Sequence, residues 1–201
     1  MNKLIKDALL LTLITVIAGC ALGLVYEVTK EPIKKAQAAT QQKAYQSVFA
    51  EADSFEDYKD FTPEAAEAAL AGTDYADNDI SGVVVAKDSS QTELGYVISV
   101  VSHAGYGGNI AFSIGIQKDG TINGYSITSI SETAGLGMKA KESKFYSQFE
   151  GKLSDAFEVT KNTATADNQI EAISGATITS NAVTRGVNAG LIYFQAISAQ
   201  N

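Results

Sequence analysis

Sulfur and imidazole are nearly missing from this 201-residue chain, which has one cysteine, Cys20, and one histidine, His103. A Cys-ligated iron–sulfur cluster takes about four thiolates and a structural zinc about four Cys or His ligands, so neither fits. A disulfide within the chain would need a second cysteine. No cysteine lies beside His103, which excludes a Cys–His nucleophile pair. A Ser–His–Asp hydrolase would have to use this one histidine, and the chain has no Gly-x-Ser-x-Gly elbow. His103 therefore reads as a strand-end or loop residue. Basic charge is also short, with 15 Lys and Arg against 23 Asp and Glu and a formal net charge of −8. Phosphate backbones repel a chain this acidic, so nucleic acid is not an expected partner. Internal repeats and low-complexity segments are absent too. Redox chemistry, if the chain performs any, must come from a borrowed organic cofactor.

What is present begins with an apolar run. Residues 1–7 are polar, with Lys3 and Lys6, and are expected on the cytoplasmic side. Residues 8–26 carry no charge and as a helix would cover about 28 Å, close to the hydrocarbon thickness of a bilayer. The run is long for the core of a signal peptide. Thr12, Thr15, Gly19 and Gly23 suit close helix contacts in lipid. The expectation is a retained single-pass transmembrane helix in the cell membrane. Ile17-Ala18-Gly19-Cys20 resembles a bacterial lipoprotein cleavage box, which leaves a lipoprotein version as an alternative, although Ala21 to Val25 continue apolar. Lys3, Lys6 and the terminal amine favour an inside N-terminus, while Lys30, Lys34 and Lys35 stand on the other flank.

Residues 27–80 read as a juxtamembrane helical and acidic segment. A polar helix is expected over Lys30–Phe49 with Pro32 in its first turn. The acidic stretch Glu51–Asp79 reads as a solvated face with a short helix capped by Thr62. Residues 81–201 form the expected domain. Val83–Val85 and Gly95–Val101 flank the turn cluster Asp88-Ser89-Ser90. Ile110, Phe112, Ile114 and Ile116 alternate as a strand with one buried face. Lys118-Asp119-Gly120 makes a hairpin turn, and Ile122, Tyr125, Ile127 and Ile130 follow it. A helix is expected over Lys139–Phe149, and Val183, Val187, Leu191 and Phe194 recur at helical spacing. The fold class is α+β: an antiparallel meander sheet with flanking helices, preceded by one N-terminal transmembrane helix.

Three glycine-containing motifs stand out. Glu171 to Ser180 reads Glu-Ala-Ile-Ser-Gly-Ala-Thr-Ile-Thr-Ser, a turn whose hydroxyls bond local backbone and lead into a helix capped by Thr179 or Ser180. Such a turn presents free N–H groups and a positive dipole end, which suits a phosphate; a capped helix without a ligand is the simpler reading. In Ser131-Glu132-Thr133-Ala134-Gly135-Leu136-Gly137, two glycines around Leu136 mark a sharp turn that lets a ligand approach closely, or an ordinary loop ahead of a helix. Gly105-Tyr106-Gly107-Gly108 places an aromatic ring at the sheet edge, where it flanks a ligand or covers the core.

Ser174-Gly175-Ala176-Thr177, followed by Ile178-Thr179-Ser180, resembles the flavinylation motif of the FMN-binding domain family. That family includes the G subunit of the Rnf electron-transport complex and the C subunit of the sodium-pumping NADH:quinone reductase. The other two motifs resemble its Glu-Thr-Pro-Gly-Leu-Gly and Gly-Tyr-Gly-Gly elements, with Ala134 in place of Pro, and all three occur in the family's order. Glu171 stands where the family usually has Asp. The resemblance covers about Gly82 to Ala196 plus the N-terminal span, and with this length the Rnf G subunit is the better match. It implies covalent FMN, esterified through its phosphate to Thr177 by a flavin transferase. Ser174, Gly175, Ala176 and Thr179 would surround that ester, and Glu132, Thr133, Gly135, Leu136 and Tyr106 would lie near the flavin ring. The implied function is a membrane-anchored flavoprotein subunit, its flavin domain outside the cytoplasm, that relays electrons in an ion-translocating ferredoxin:NAD oxidoreductase complex with other subunits as partners. The alternative is a membrane-anchored partner-binding scaffold without flavin, using the acidic 51–79 face.

Overall fold

The computed structural model describes residues 3–199; Met1 and Asn2 of the expected cytoplasmic segment, and Gln200 and Asn201 of the expected domain, lie outside them. The chain divides into two units, Met1–Thr40 and Gln41–Asn201.

The first unit is helical. Helix α1 runs Lys3–Val48, its last turns belonging to the second unit. Among the described residues it is the one helix long and apolar enough to cross a membrane, and its large apolar side chains from Leu4 to Ile33 are exposed. The hydroxyls of Thr12, Thr15 and Thr29 donate to the carbonyls of Ala8, Leu11 and Val25. These threonine hydroxyls, in and just beyond the apolar run, are thus satisfied within the helix, as lipid requires. The polar helix expected over Lys30–Phe49 is continuous with the apolar run, so Pro32 lies inside α1 and not in a first turn. Proline removes one bond, to the carbonyl four residues back. The Lys-, Ala- and Gln-rich stretch beyond it has the propensity to carry the helix on.

The second unit is built on one antiparallel sheet in the order β1-β2-β3-β4-β5, with β1 at Ser54–Asp57, β2 at Asn78–Lys87, β3 at Glu93–Ser102, β4 at Ile110–Gln117 and β5 at Ile122–Ser129. Both expected turns close as read: Asp88 Oδ1 accepts from the N–H groups of Ser90 and Thr92, and Asp119 Oδ1 accepts from that of Thr121. Strand β1 lies within the segment read as a solvated acidic face. Beyond it, helix α2 (Pro63–Leu70) starts at the Thr62 cap, whose hydroxyl accepts from the Ala65 N–H at 3.1 Å.

On one face of the sheet, Ile98, Val100, Ile110, Phe112, Ile114 and Ile116 form a core with Val183, Val187, Leu191 and Phe194 of helix α4 (Thr177–Ser198). The other face is covered as well, which the single-faced reading of β4 did not anticipate: Tyr45, Val48 and Phe49 pack on Val84, Ala86 and Val97. Gly115 makes room for this, since a Cβ there would lie 2.8 Å from Val48 Cβ. A bulge explains why Ile122 and Tyr125 share a face at odd spacing. Ile116 pairs with Ile122 and Gly115 with Gly124, which leaves Asn123 extra. Its freed side chain donates to the Val48 carbonyl at 3.0 Å and so caps the end of α1.

After β5 the expected 139–149 helix is broken into a 3-10 turn at Gly137–Lys141, a short α3 at Ser143–Tyr146 and a second 3-10 turn at Ser147–Phe149. Apolar packing sets its path, with Phe145 and Phe149 buried edge-to-face on each other and Phe149 likewise on Tyr125. Strands β6 (Glu158–Thr160) and β7 (Gln169–Glu171) then pair in parallel as a separate two-stranded sheet.

Candidate functional site

The three motifs meet. The backbone after Gly175, which is left-handed at φ +76°, turns directly into α4. The helix begins earlier than the expected cap at Thr179 or Ser180: Ala176 is the N-cap and Thr177 the first helical residue. The capping hydroxyl is displaced because Ser180 bonds backward instead. Its Oγ accepts from the Ile173 N–H and donates to the Ala176 carbonyl, both at 2.9 Å. Alanine supplies no side-chain acceptor, and the first N–H groups of a helix have no partner within it. The start of α4 therefore offers unpaired donors at its positive end.

Opposite lies the loop from Glu132 to Gly137. The Thr133 carbonyl accepts from the N–H groups of Leu136 and Met138, both at 3.2 Å, and Gly135 takes φ +76° to close that turn. Gly137 is required for a different reason: a Cβ there would stand 2.5 Å from Glu132 Oε2 and 2.6 Å from Thr179 Oγ1. Glu132 is buried. Its Oε1 accepts from the Gly107 N–H at 3.0 Å and its Oε2 from the Thr179 hydroxyl at 2.9 Å. One carboxylate thus joins all three motifs.

Between them is a cleft of about 600 Å³, lined by Tyr106 on one side, Glu132, Thr133, Leu136 and Gly137 on the second, and residues 175–179 on the third. Eight of the ten expected site residues line it: Thr177, Gly175, Ala176, Thr179, Glu132, Thr133, Leu136 and Tyr106. Ser174 and Gly135 shape the two turns but stand outside the lining. Gly137, one of the two glycines read as letting a ligand approach, lines it as well, and so does Ile178, which was not expected to. Ile178 carried a usable signal: it is apolar, yet it falls off the buried face that Val183, Val187 and Leu191 define.

The residues fit FMN in three respects. The volume lies within the ~300–1,000 Å³ of cofactor clefts. Tyr106, Leu136 and Ile178 expose 72, 41 and 53% of their surface at the rim, apolar area that a planar ring system would cover. The α4 N-terminus offers N–H donors for a phosphate. Among the described residues no Lys or Arg lines the cleft, whereas Glu132 does.

Among the motif's hydroxyls, those of Thr179 and Ser180 are committed to protein partners. Ser174 is exposed and outside the lining. Among the described residues the Thr177 hydroxyl has no hydrogen-bond partner, and Thr177 lines the cleft half-buried. Elsewhere, His103 is a loop residue whose Nε2 bonds Asp79 Oδ2 at 2.8 Å, and that bond raises its pKa. Lys161 is exposed. Glu171 accepts the Ala164 N–H at 3.0 Å and holds a loop of its own.

Residues 105–192 match the FMN-binding domain family, and residues 1–48 match the RnfG N-terminal region. Similar proteins include the G subunit of the Na(+)-translocating ferredoxin:NAD(+) oxidoreductase complex of Acetobacterium woodii, 34% identical over 96% of this chain and 92% of that one. The G subunit of an ion-translocating oxidoreductase complex of Methanosarcina acetivorans is 30% identical over 97% and 96%. Its counterpart in the proton-translocating ferredoxin:NAD(+) oxidoreductase complex of Clostridium ljungdahlii is 44% identical over 47% and 50%. The chain belongs to this family of Rnf complex G subunits. Among solved structures, NqrC of Shewanella oneidensis shares the fold, with a TM-score of 0.50 and 22% identity over 59% of each chain.

Proposed function

We propose that this chain is a membrane-anchored electron-transfer subunit of an ion-translocating ferredoxin:NAD oxidoreductase complex, carrying FMN as a phosphoester on Thr177. The observation that carries the reading is Thr177: among the described residues it is the hydroxyl residue of its motif that both lines the cleft and lacks a hydrogen-bond partner, and it sits on the first turn of α4. When bound, FMN supplies the electron-accepting and electron-donating chemistry.

The residues divide the remaining work. Leu136, Ile178 and Tyr106 would cover the ring and exclude water from it. The α4 N–H groups would orient the phosphate. Glu132 puts a negative charge in the cleft and no lysine or arginine answers it, so ion pairing alone would hold a phosphate dianion poorly. A covalent bond solves that problem, and it also suits a domain outside the cytoplasm, where lost FMN is not easily replaced. A flavin transferase is the implied maturation partner. The relatives are named for Na⁺ in one case and protons in another. This chain has no charged residue in the 8–26 run, so the ion path belongs to other subunits.

The test replaces Thr177 in the intact complex. Thr177→Ala should abolish covalent in-gel flavin fluorescence of this subunit and the membrane's ferredoxin:NAD electron transfer, while the subunit still folds and assembles. Thr177→Ser should retain both in part, because the hydroxyl remains. Covalent fluorescence at normal intensity in Thr177→Ala would refute the assignment.

A further inference from the structure

We infer that Glu132 is a positioning residue for the flavin cleft, and that its fixed charge holds the bound flavin at a lower potential than the cleft would otherwise give. The inference rests on the reading of the cleft as an FMN site.

Both Glu132 oxygens are occupied by protein donors. Oε1 takes the Gly107 N–H at 3.0 Å and Oε2 the Thr179 hydroxyl at 2.9 Å. Gly107 lies in the tyrosine-bearing loop between β3 and β4, Glu132 in the loop after β5, and Thr179 in the first turn of α4. No other side-chain hydrogen bond among the described residues joins any two of these three segments, so this one carboxylate is the polar link that fixes them to each other.

The fit is tight. Gly137 cannot take a Cβ without striking Glu132 and Thr179, and a Cβ on Gly105 would stand 2.9 Å from Glu132 Oε1. Two incoming donors and no outgoing one are what an ionised carboxylate accepts. The group is 7% exposed and lines the cleft. Charge so placed is poorly screened by water, and it opposes the addition of electrons to a neighbouring ring.

Two substitutions separate charge from geometry. Glu132→Gln preserves the geometry: the amide oxygen accepts from Gly107, and the amide NH₂ donates to Thr179, whose hydroxyl turns to accept. Only the charge is lost. Glu132→Ala loses both. In the full-length chain coexpressed with a flavin transferase, Glu132→Gln should keep covalent flavin and a resolved visible band, while redox titration finds the midpoint potential shifted to a more positive value. Glu132→Ala should lower covalent flavin yield and blur the visible band. If Glu132→Ala does not fold, Thr179→Val, which removes one donor at nearly constant volume, should blur the band on its own.

An unchanged potential in Glu132→Gln would overturn the charge, and normal flavin yield and spectrum in Glu132→Ala or Thr179→Val would overturn the positioning. A wild-type chain without covalent flavin would instead overturn the FMN reading itself, and this inference with it.

Discussion

Leu136 shows what one residue contributes and how much of it was readable. An exposed leucine between two glycines is an odd surface choice, and the loop places it at the cleft rim, with Gly175 opposite so close that a Cβ there would lie 3.1 Å from Leu136 Cδ2. Leu136→Ala should leave flavin covalently attached, since the proposed ester is at Thr177 and not in this loop. It should move the potential upward and weaken the visible-band fine structure, because water then reaches the ring and steadies its reduced charge. A redox titration and spectrum identical to wild type would make this an ordinary surface loop. Thr177 was legible because a short contiguous motif carries it. The partners of Glu132 were not: Gly107 is 25 residues away and Thr179 is 47, and nothing local in sequence encodes either bond. The pattern alone also makes Thr179 and Ser180 look like caps, although a long-range bond to Glu132 claims the first hydroxyl and local bonds back to Ile173 and Ala176 claim the second. The two glycines around Leu136 have different reasons: Gly135 takes the positive φ of the turn, and close approach is what fixes Gly137.

At the scale of elements, regular periodicity was readable and irregularity was not. The strands β2 to β5, the turns between their hairpins, the Thr62-capped α2 and the core face of α4 all follow from alternation, helical spacing and turn chemistry. Strand β1 was hidden because four residues, Ser-Phe-Glu-Asp, carry too little pattern. The parallel β6–β7 pair was hidden because its strands are three residues each. The 137–149 segment keeps helical spacing of its phenylalanines but bends to bury them. The bulge at Asn123 has a consequence that can be measured. Asn123→Ala leaves the Val48 carbonyl without its donor, while the packing of Tyr45, Val48 and Phe49 on the sheet remains. The expected loss is about 1–3 kcal/mol, read as a lower chemical-denaturation midpoint for the full-length chain in detergent with an unchanged slope. A midpoint within error of wild type would mean that the cap contributes nothing.

For the whole molecule, the uncharged 8–26 run, its exposure along α1 and the N-terminal family match together describe a membrane-anchored flavin protein. The side on which the domain sits is tested with a cysteine at an exposed turn. Ser89→Cys should react with a membrane-impermeant thiol reagent in intact cells; labelling only after lysis would put the domain in the cytoplasm. The anchor was legible from length and charge alone, whereas the cleft needed the fold, since residues 105–108, 132–137 and 174–180 converge only once the sheet and α4 are in place. The central claim is covalent FMN on Thr177, and fragmentation mass spectrometry of the peptide spanning residues 162–185 from the native complex tests it most directly. The account predicts the mass of FMN less one water on that peptide, localised by fragment ions to Thr177. An unmodified peptide at full occupancy, or the added mass localised to Ser174, Thr179 or Ser180, would contradict it.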